Sequence, residues 1–401
     1  LLKKRLKFSL KGLKLLDPSK HFIDYGVLIP VLMLACFGVL MVYSASYYSA
    51  GIAYGNSFFF AGKQLGGLAL GVCALIGCYF VNHKALCKLK IPALVVGFVF
   101  LLMVFIPGIG IESYGAKRWI GFGTFSFQAS EIAKFCFVLF AAGYMAERKD
   151  DMGKIKGVLP VLMMGGLMCL LILAEPNLSI TLCVGIVMLI MLFVGGMKLK
   201  HFAILSVPLA ALVPVLIITE PYRLKRLMAF LDPWSSPQAE GFQLIQSLYS
   251  LGGGGWFGVG LFNSRQKYSF LPFSESDFIF SIIGEEFGLI GCGLLLLVFG
   301  MLIYSGYRIA LNSSTRFGCY LATGITSIIA VQVLINVAVV TGSIPPTGLP
   351  LPFISAGSTS LVVFMAAVGV LLNIARQNKN TDPFLYPKQQ FINLKKKAPR
   401  K

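Results

Sequence analysis

Residues 27–43 read VLIPVLMLACFGVLMVY, an apolar run without a single charge. A helix crosses a hydrocarbon core of ~30 Å with roughly 20 residues. Comparable runs follow at Phe58–Val81, Ile91–Ile106, Phe127–Ala146, Val158–Ala174, Leu178–Val194, Phe202–Thr219, Phe278–Tyr307, Phe317–Thr341 and Ile354–Ala375. They predict an all-α polytopic membrane protein of about ten transmembrane helices. Composition agrees: 57% of the 401 residues are hydrophobic and 13% are charged, more apolar surface than a water-soluble domain can hide.

Lysine and arginine resist translocation, so they mark the cytoplasmic side of each span. The arm 1–24, the turns at Lys84–Lys90, Arg148–Lys156, Lys198–Lys200 and Arg308–Arg316, and the tail 377–401 with Arg376 hold 26 of the 35 basic residues. Both termini are therefore expected in the cytoplasm, flanking a ten-helix domain over 25–376. The first span is too long for the apolar part of a cleavable signal and reads as a retained anchor. A net charge of +19 concentrated in arms beside spans points to anionic lipid, and no nucleic-acid partner is expected. The nine cysteines lie outside the long outer loops and predict no disulfide, and the three histidines are too scattered for a zinc site or a triad.

On this map Glu220–Ser276 is a long extracytoplasmic loop between helices 7 and 8. Within it, Leu244, Ile245, Leu248 and Leu251 share one face of a helix over 241–251, suited to the membrane interface. Trp119, Trp234 and Trp256 fit either an aromatic belt or sugar stacking. The glycines of 252–255 with Gly258 match a G-x-G-x-x-G spacing, but no strand precedes them, and flexibility is the role expected instead. A second irregular stretch, Gly342–Ser358, is apolar yet interrupted by four prolines. Its backbone groups need partners, so it is expected to re-enter the protein and line a cavity, unless it is an ordinary surface loop.

Ionisable groups within spans are costly and mark function by default. Glu131 and Lys134, three residues apart on one helical face, are either functional or a brace for the bundle. Glu175-Pro176-Asn177 reads as a turn with an asparagine cap. Asp277 heads the eighth span, where Ser281, Gly284, Gly288 and Gly291 project to the same face and predict a groove inside the bundle. The competing reading is a helix cap, since Ser274-Glu-Ser-Asp277 matches the S-x-x-[DE] pattern.

The block Gly241-Phe-Gln-Leu-Ile-Gln-Ser247, Gly258-Val-Gly-Leu-Phe-Asn-Ser264-Arg-Gln266-Lys267, Asp277-Phe-Ile-Phe280 and Gly284-Glu-Glu-Phe-Gly288 resembles the SEDS (shape, elongation, division and sporulation) family. So do Arg118-Trp119, Gln128-Ala-Ser-Glu131-Ile-Ala-Lys134, Arg223 with Arg226, and Pro346-Thr-Gly-Leu-Pro-Leu-Pro352. The Asn-Ser-x-Gln-Lys segment resembles the division branch. Departures from the family pattern are Glu275-Ser276 for His-Thr, Ala129 for proline, and Glu175-Pro176-Asn177 for Gln-Pro-Asp.

The resemblance implies a ten-helix polymerase of lipid II on the outer face of the cytoplasmic membrane, at the division septum. It places Asp277 at the family's essential aspartate, as the base that accepts the proton of the acceptor hydroxyl. Arg118, Arg223, Arg226 and Lys267 would meet the departing pyrophosphate, with Glu131, Lys134 and Gln266 as further substrate contacts and room for a divalent cation, magnesium or manganese. The outer segments lack the serine and lysine pattern of a transpeptidase. The expected partners are therefore a class B penicillin-binding protein and other divisome proteins. A lipid II flippase and a non-catalytic divisome scaffold are the alternatives. The topology is tested by labelling Ser235→Cys in intact cells: a membrane-impermeant thiol reagent should react from outside, and reaction from the cytoplasm alone would overturn the map.

Overall fold

The computed structural model describes residues 23–113, 116–122, 125–204, 207, 214, 218 and 221–377. The helices are α1 (Tyr25–Tyr54), α2 (Phe59–Phe80), α3 (Lys90–Met103), α4 (Ala129–Glu147), α5 (Ile155–Ala174) and α6 (Leu178–Val194). After them come α7 (Pro221–Leu231), α8 (Phe242–Gly254), α9 (Ile279–Leu311), α10 (Arg316–Val340) and α11 (Ser358–Gln377). Seven of these, α1, α2, α4, α5, α9, α10 and α11, are long and apolar enough to cross a membrane. The apolar α6 has 17 residues and α3 has 14. Most of the span expected at Phe202–Thr219 lies outside the described residues, as do the basic arm to residue 22 and the tail from 378.

The chain is not wholly helical. Between α3 and α4 it forms a three-stranded antiparallel sheet, β1 (Gly110–Ser113), β2 (Ala116–Phe122) and β3 (Phe125–Gln128), in the order β1-β2-β3. Trp119 faces Gln128 across the β2–β3 ladder and Ile120 faces Phe127. Side chains alternate along a strand, so Arg118 and Ile120 share a face. Ile120 is fully buried in the bundle and Arg118 beside it is half-buried.

α10 is the most enclosed spanning helix and packs against α4, α6 and α9. α2 and α11 approach closely because glycines stand where they touch: Gly67 meets Ser358, Gly71 meets Met365, and Gly369 meets Leu75. The Asp24 carboxylate caps α1 by accepting from the Gly26 N–H at 3.0 Å and binds Arg308 at 2.6 Å, tying the start of α1 to the far end of α9.

The predicted straight span at Phe278–Tyr307 is broken. Gly288, with φ 67° and ψ −168°, interrupts α9, so the small-residue face projected across it does not continue. The break frees backbone groups, and the glycine-rich segment after α8 binds them. Val259 and Gly260 donate to the carbonyls of Glu285 and Glu286 at 2.9 and 3.0 Å, while Leu289 and Ile290 donate to Gly255 and Trp256 at 2.9 and 3.1 Å. The glycines are thus there for close backbone approach rather than flexibility. α8 likewise does not simply lie on the membrane. Leu244 and Ile245 are buried, and the Ser247 hydroxyl pairs with Ser281 at 2.8 Å.

An alanine at 288 would press its Cβ on the Gly258 nitrogen and the Trp256 carbonyl. Its backbone conformation is nearly exclusive to glycine and costs other residues about 1–3 kcal/mol. Gly288→Ala should lower the thermal unfolding midpoint in detergent, whereas Gly293→Ala, whose Cβ would meet nothing within 4 Å, should leave it in place. Equal midpoints for the two variants would contradict the account of the break.

Candidate active site

The stretch between α10 and α11 re-enters the protein as expected. Leu349, Leu351, Phe353 and Ile354 are buried, and polar side chains of α2 and α10, with one main-chain contact, satisfy the irregular backbone. Asn336 donates to the Leu349 carbonyl at 2.7 Å and Gln332 to the Pro350 carbonyl at 3.0 Å. Gln64 both donates to the Ser355 carbonyl and accepts from the Gly357 N–H, each at 3.1 Å. The Ala356 N–H donates to the Glu275 carbonyl at 2.8 Å. The loop thereby becomes a fixed floor against which the start of α9 is held.

Asp277 stands on that floor. Asn336 donates to its main-chain carbonyl at 2.9 Å. Its carboxylate lies so near Gly348, where φ is 71°, that a Cβ there would come within 3.0 Å of Oδ2. The cap reading fails: α9 starts after Phe278 with no side-chain cap, and among the described residues the Asp277 carboxylate has no hydrogen-bond partner. Burial pushes its carboxyl up to about 6, opposed by the guanidinium groups of Arg118 and Arg226 and aided by Glu275. A base poised near neutrality and left without a protein partner is suited to accepting a proton.

The cations divide into two groups. Arg118 donates through Nε to the Glu175 carbonyl at 3.2 Å and through Nη2 to the Pro176 carbonyl, at the turn between α5 and α6. Arg226 donates to the Pro346 carbonyl at 3.3 Å. Both act electrostatically on Asp277, and Arg223 is half-buried one turn ahead of Arg226 on α7. Lys267 belongs elsewhere. Its ammonium is fully buried, bonded to Glu286 at 3.0 Å and near the Ser44 hydroxyl at 3.5 Å, so it does not face the Asp277 groove as expected. The neighbouring Gln266 N–H approaches Glu285 at 3.4 Å, and the Gln266 Oε1 is buried without a partner.

Glu131 and Lys134 pair at 2.7 Å and are both buried. Lys134 also donates to Gln332 at 2.8 Å, and Ser360 donates to Glu131 at 2.7 Å. They brace α4, α10 and α11, and through Gln332 they support the loop. No cluster of three histidine, cysteine or acidic side chains gathers among the described residues. The side chains around Asp277 include two arginines, a poor donor set for a divalent ion, so no step below runs through a metal.

The model of the FtsW/RodA/SpoVE family, described as cell cycle proteins, matches residues 26–380. The chain belongs to this family. Stage V sporulation protein E of Bacillus subtilis (strain 168) is 42% identical over 359 residues, covering 89% of this chain and 98% of that protein. The probable peptidoglycan glycosyltransferase FtsW of Geobacter sp. (strain M18) is 38% identical over 355 residues, covering 88% and 96%. Among solved structures, a chain of a peptidoglycan synthase complex that coordinates polymerisation and crosslinking superposes with a TM-score of 0.72 at 26% identity, covering 90% of this chain and 99% of that one. The rod shape determining protein RodA of Thermus thermophilus shares the fold, with a TM-score of 0.65 at 24% identity over 91% of this chain and 100% of that one.

In this FtsW/RodA/SpoVE chain several structural roles escaped the sequence reading. Glu285 gathers the loop ahead of Lys267, accepting from the Ser264 hydroxyl at 2.5 Å and the Arg265 N–H at 2.9 Å. Two adjacent carboxylates inside an apolar run were the available signal. Among the described residues the fully buried Glu175 has no hydrogen-bond partner for either oxygen, and burial pushes its carboxyl up to about 8 against the pull of Arg118. Only its place in the fold reveals that.

Removing one member of a buried pair strands the other charge, at about 3–5 kcal/mol. Glu131→Gln and Lys134→Met should each destabilise the protein more than the two changes together. Additive losses in thermal unfolding of the three variants would refute the pairing.

Proposed function

We propose that this chain is a peptidoglycan glycosyltransferase that polymerises lipid II on the outer face of the cytoplasmic membrane, for septal wall synthesis in division or sporulation. The observation that carries the reading is the Asp277 carboxylate, half-buried, without a hydrogen-bond partner among the described residues and flanked by Arg118 and Arg226. The similarity to probable peptidoglycan glycosyltransferases of the FtsW type supports the same chemistry.

The donor lipid carries its sugar on a pyrophosphate, already a good leaving group, so one base suffices where glycosidases need two carboxyl groups. Asp277 takes the proton as the acceptor oxygen forms its bond to the anomeric carbon. The bond from that carbon to the pyrophosphate oxygen breaks with inversion, and its electron pair leaves with the pyrophosphate. Arg118 and Arg226 stabilise that developing charge. A class B penicillin-binding protein would crosslink the strand in company with other divisome proteins, a partnership supported by the similarity to a chain of a synthase complex.

Purified protein supplied with lipid II should make glycan strands. Asp277→Asn should lower the rate by about 10²–10⁴ while the variant remains folded. Because the base works ionised, the acid limb of wild-type kcat/KM should be half-maximal at about pH 6, fall tenfold per unit below it and level off toward neutral pH. Wild-type polymerisation by Asp277→Asn would remove Asp277 from the mechanism, and transport of lipid II without strand formation would favour a flippase.

A further inference from the structure

Arg118 is held by a turn that carries a carboxyl of its own. Its guanidinium reaches from β2 to the carbonyls of Glu175 and Pro176, where the C-terminal end of α5 concentrates partial negative charge. The Glu175 side chain is fully buried at the same turn, and neither of its oxygens has a hydrogen-bond partner among the described residues. We propose that Glu175 is a positioning residue for Arg118, leaving the guanidinium available to the anionic substrate only while the Glu175 carboxyl is protonated. The proposal rests on the polymerase reading of the site.

A neutral carboxylic acid is tolerated in such a place, but an unpaired carboxylate is not. Once ionised, Glu175 needs a cation. Arg118 is the charged group that acts on it, and a guanidinium binds a carboxylate in fork geometry more strongly than it binds two neutral carbonyls. Ionisation therefore draws Arg118 onto Glu175 and away from the departing pyrophosphate. The other titratable or charged groups of the cluster are Asp277, Glu275 and Arg226. Glu275 and Arg226 act on Asp277, which also feels Arg118. Withdrawal of Arg118 thus weakens leaving-group stabilisation and removes part of the field that keeps Asp277 ionised. Burial sets the carboxyl at about 8, so the protonated, working form dominates at neutral pH.

The full-length wild type and Glu175→Gln are compared for polymerisation of lipid II across about pH 6 to 9.5. Wild-type kcat/KM should fall above about pH 8, approaching tenfold per unit. Glu175→Gln, which keeps the shape of the neutral acid and cannot ionise, should lose this alkaline limb and retain the acid limb set by Asp277. A second measurement keeps Glu175 in place: lipid II binding to the Asp277→Asn chain should weaken roughly tenfold between about pH 7 and 9, and adding Glu175→Gln should abolish that dependence. A flat wild-type profile, or the same alkaline limb in both chains, overturns the proposal. If no strands form at any pH, the polymerase reading fails by itself. The binding comparison then decides the role of Glu175: pH-dependent binding only with glutamate supports it, and identical binding with and without the substitution overturns it.

Discussion

Inside a membrane every backbone polar group must find its partner within the protein. In this chain two irregular segments meet that demand, and the site depends on both. The proline-rich loop between α10 and α11 survives away from lipid because Asn336, Gln332 and Gln64 serve its carbonyls and one of its N–H groups. The break at Gly288 survives because the segment 255–260 both donates to and accepts from the interrupted helix. Together they let α9 begin against the loop, with Asp277 beside Gly348.

Buried charge serves two ends here, distinguished by whether the charge is paired. Glu131 with Lys134 and Glu286 with Lys267 are closed pairs that also hold polar neighbours. Their partners come from distant parts of the chain, so they fix how helices and loop sit relative to one another. Such pairs add little net stability over apolar residues, but breaking one is severe. Asp277 and Glu175 are the contrasting case. Among the described residues neither carboxyl has a hydrogen-bond partner, both are pushed upward by burial, and both feel the same guanidinium of Arg118. Two titratable acids on one shared cation couple the protonation of one to that of the other.

The long segment between α6 and α9 links these features. α7 carries Arg226 to the loop, and α8 docks through Ser247 and Ser250 on the buried start of α9. Glu285 then gathers residues 264–266, which leads Lys267 to Glu286. The segment is thus built into the site, and its residues act largely through packing and pairing.

Hydropathy runs, basic flanks and proline content are local properties, and they were enough to predict a helical membrane chain, the re-entry of 342–358 and the pairing of Glu131 with Lys134. Motif residues were also enough to single out Asp277, Arg118 and Arg226 as a group. The sequence could not say that Lys267 is consumed by Glu286, because that partner lies nineteen positions away on a helix that the loop meets only once the chain has folded. Nor could it show the small sheet that aims Arg118, whose pairing depends on segments meeting in space. The same holds for Asp277 and Glu175. Whether a carboxyl is capped, paired or left alone depends on which atoms surround it after the chain has folded, and burial shifts its protonation only through those neighbours.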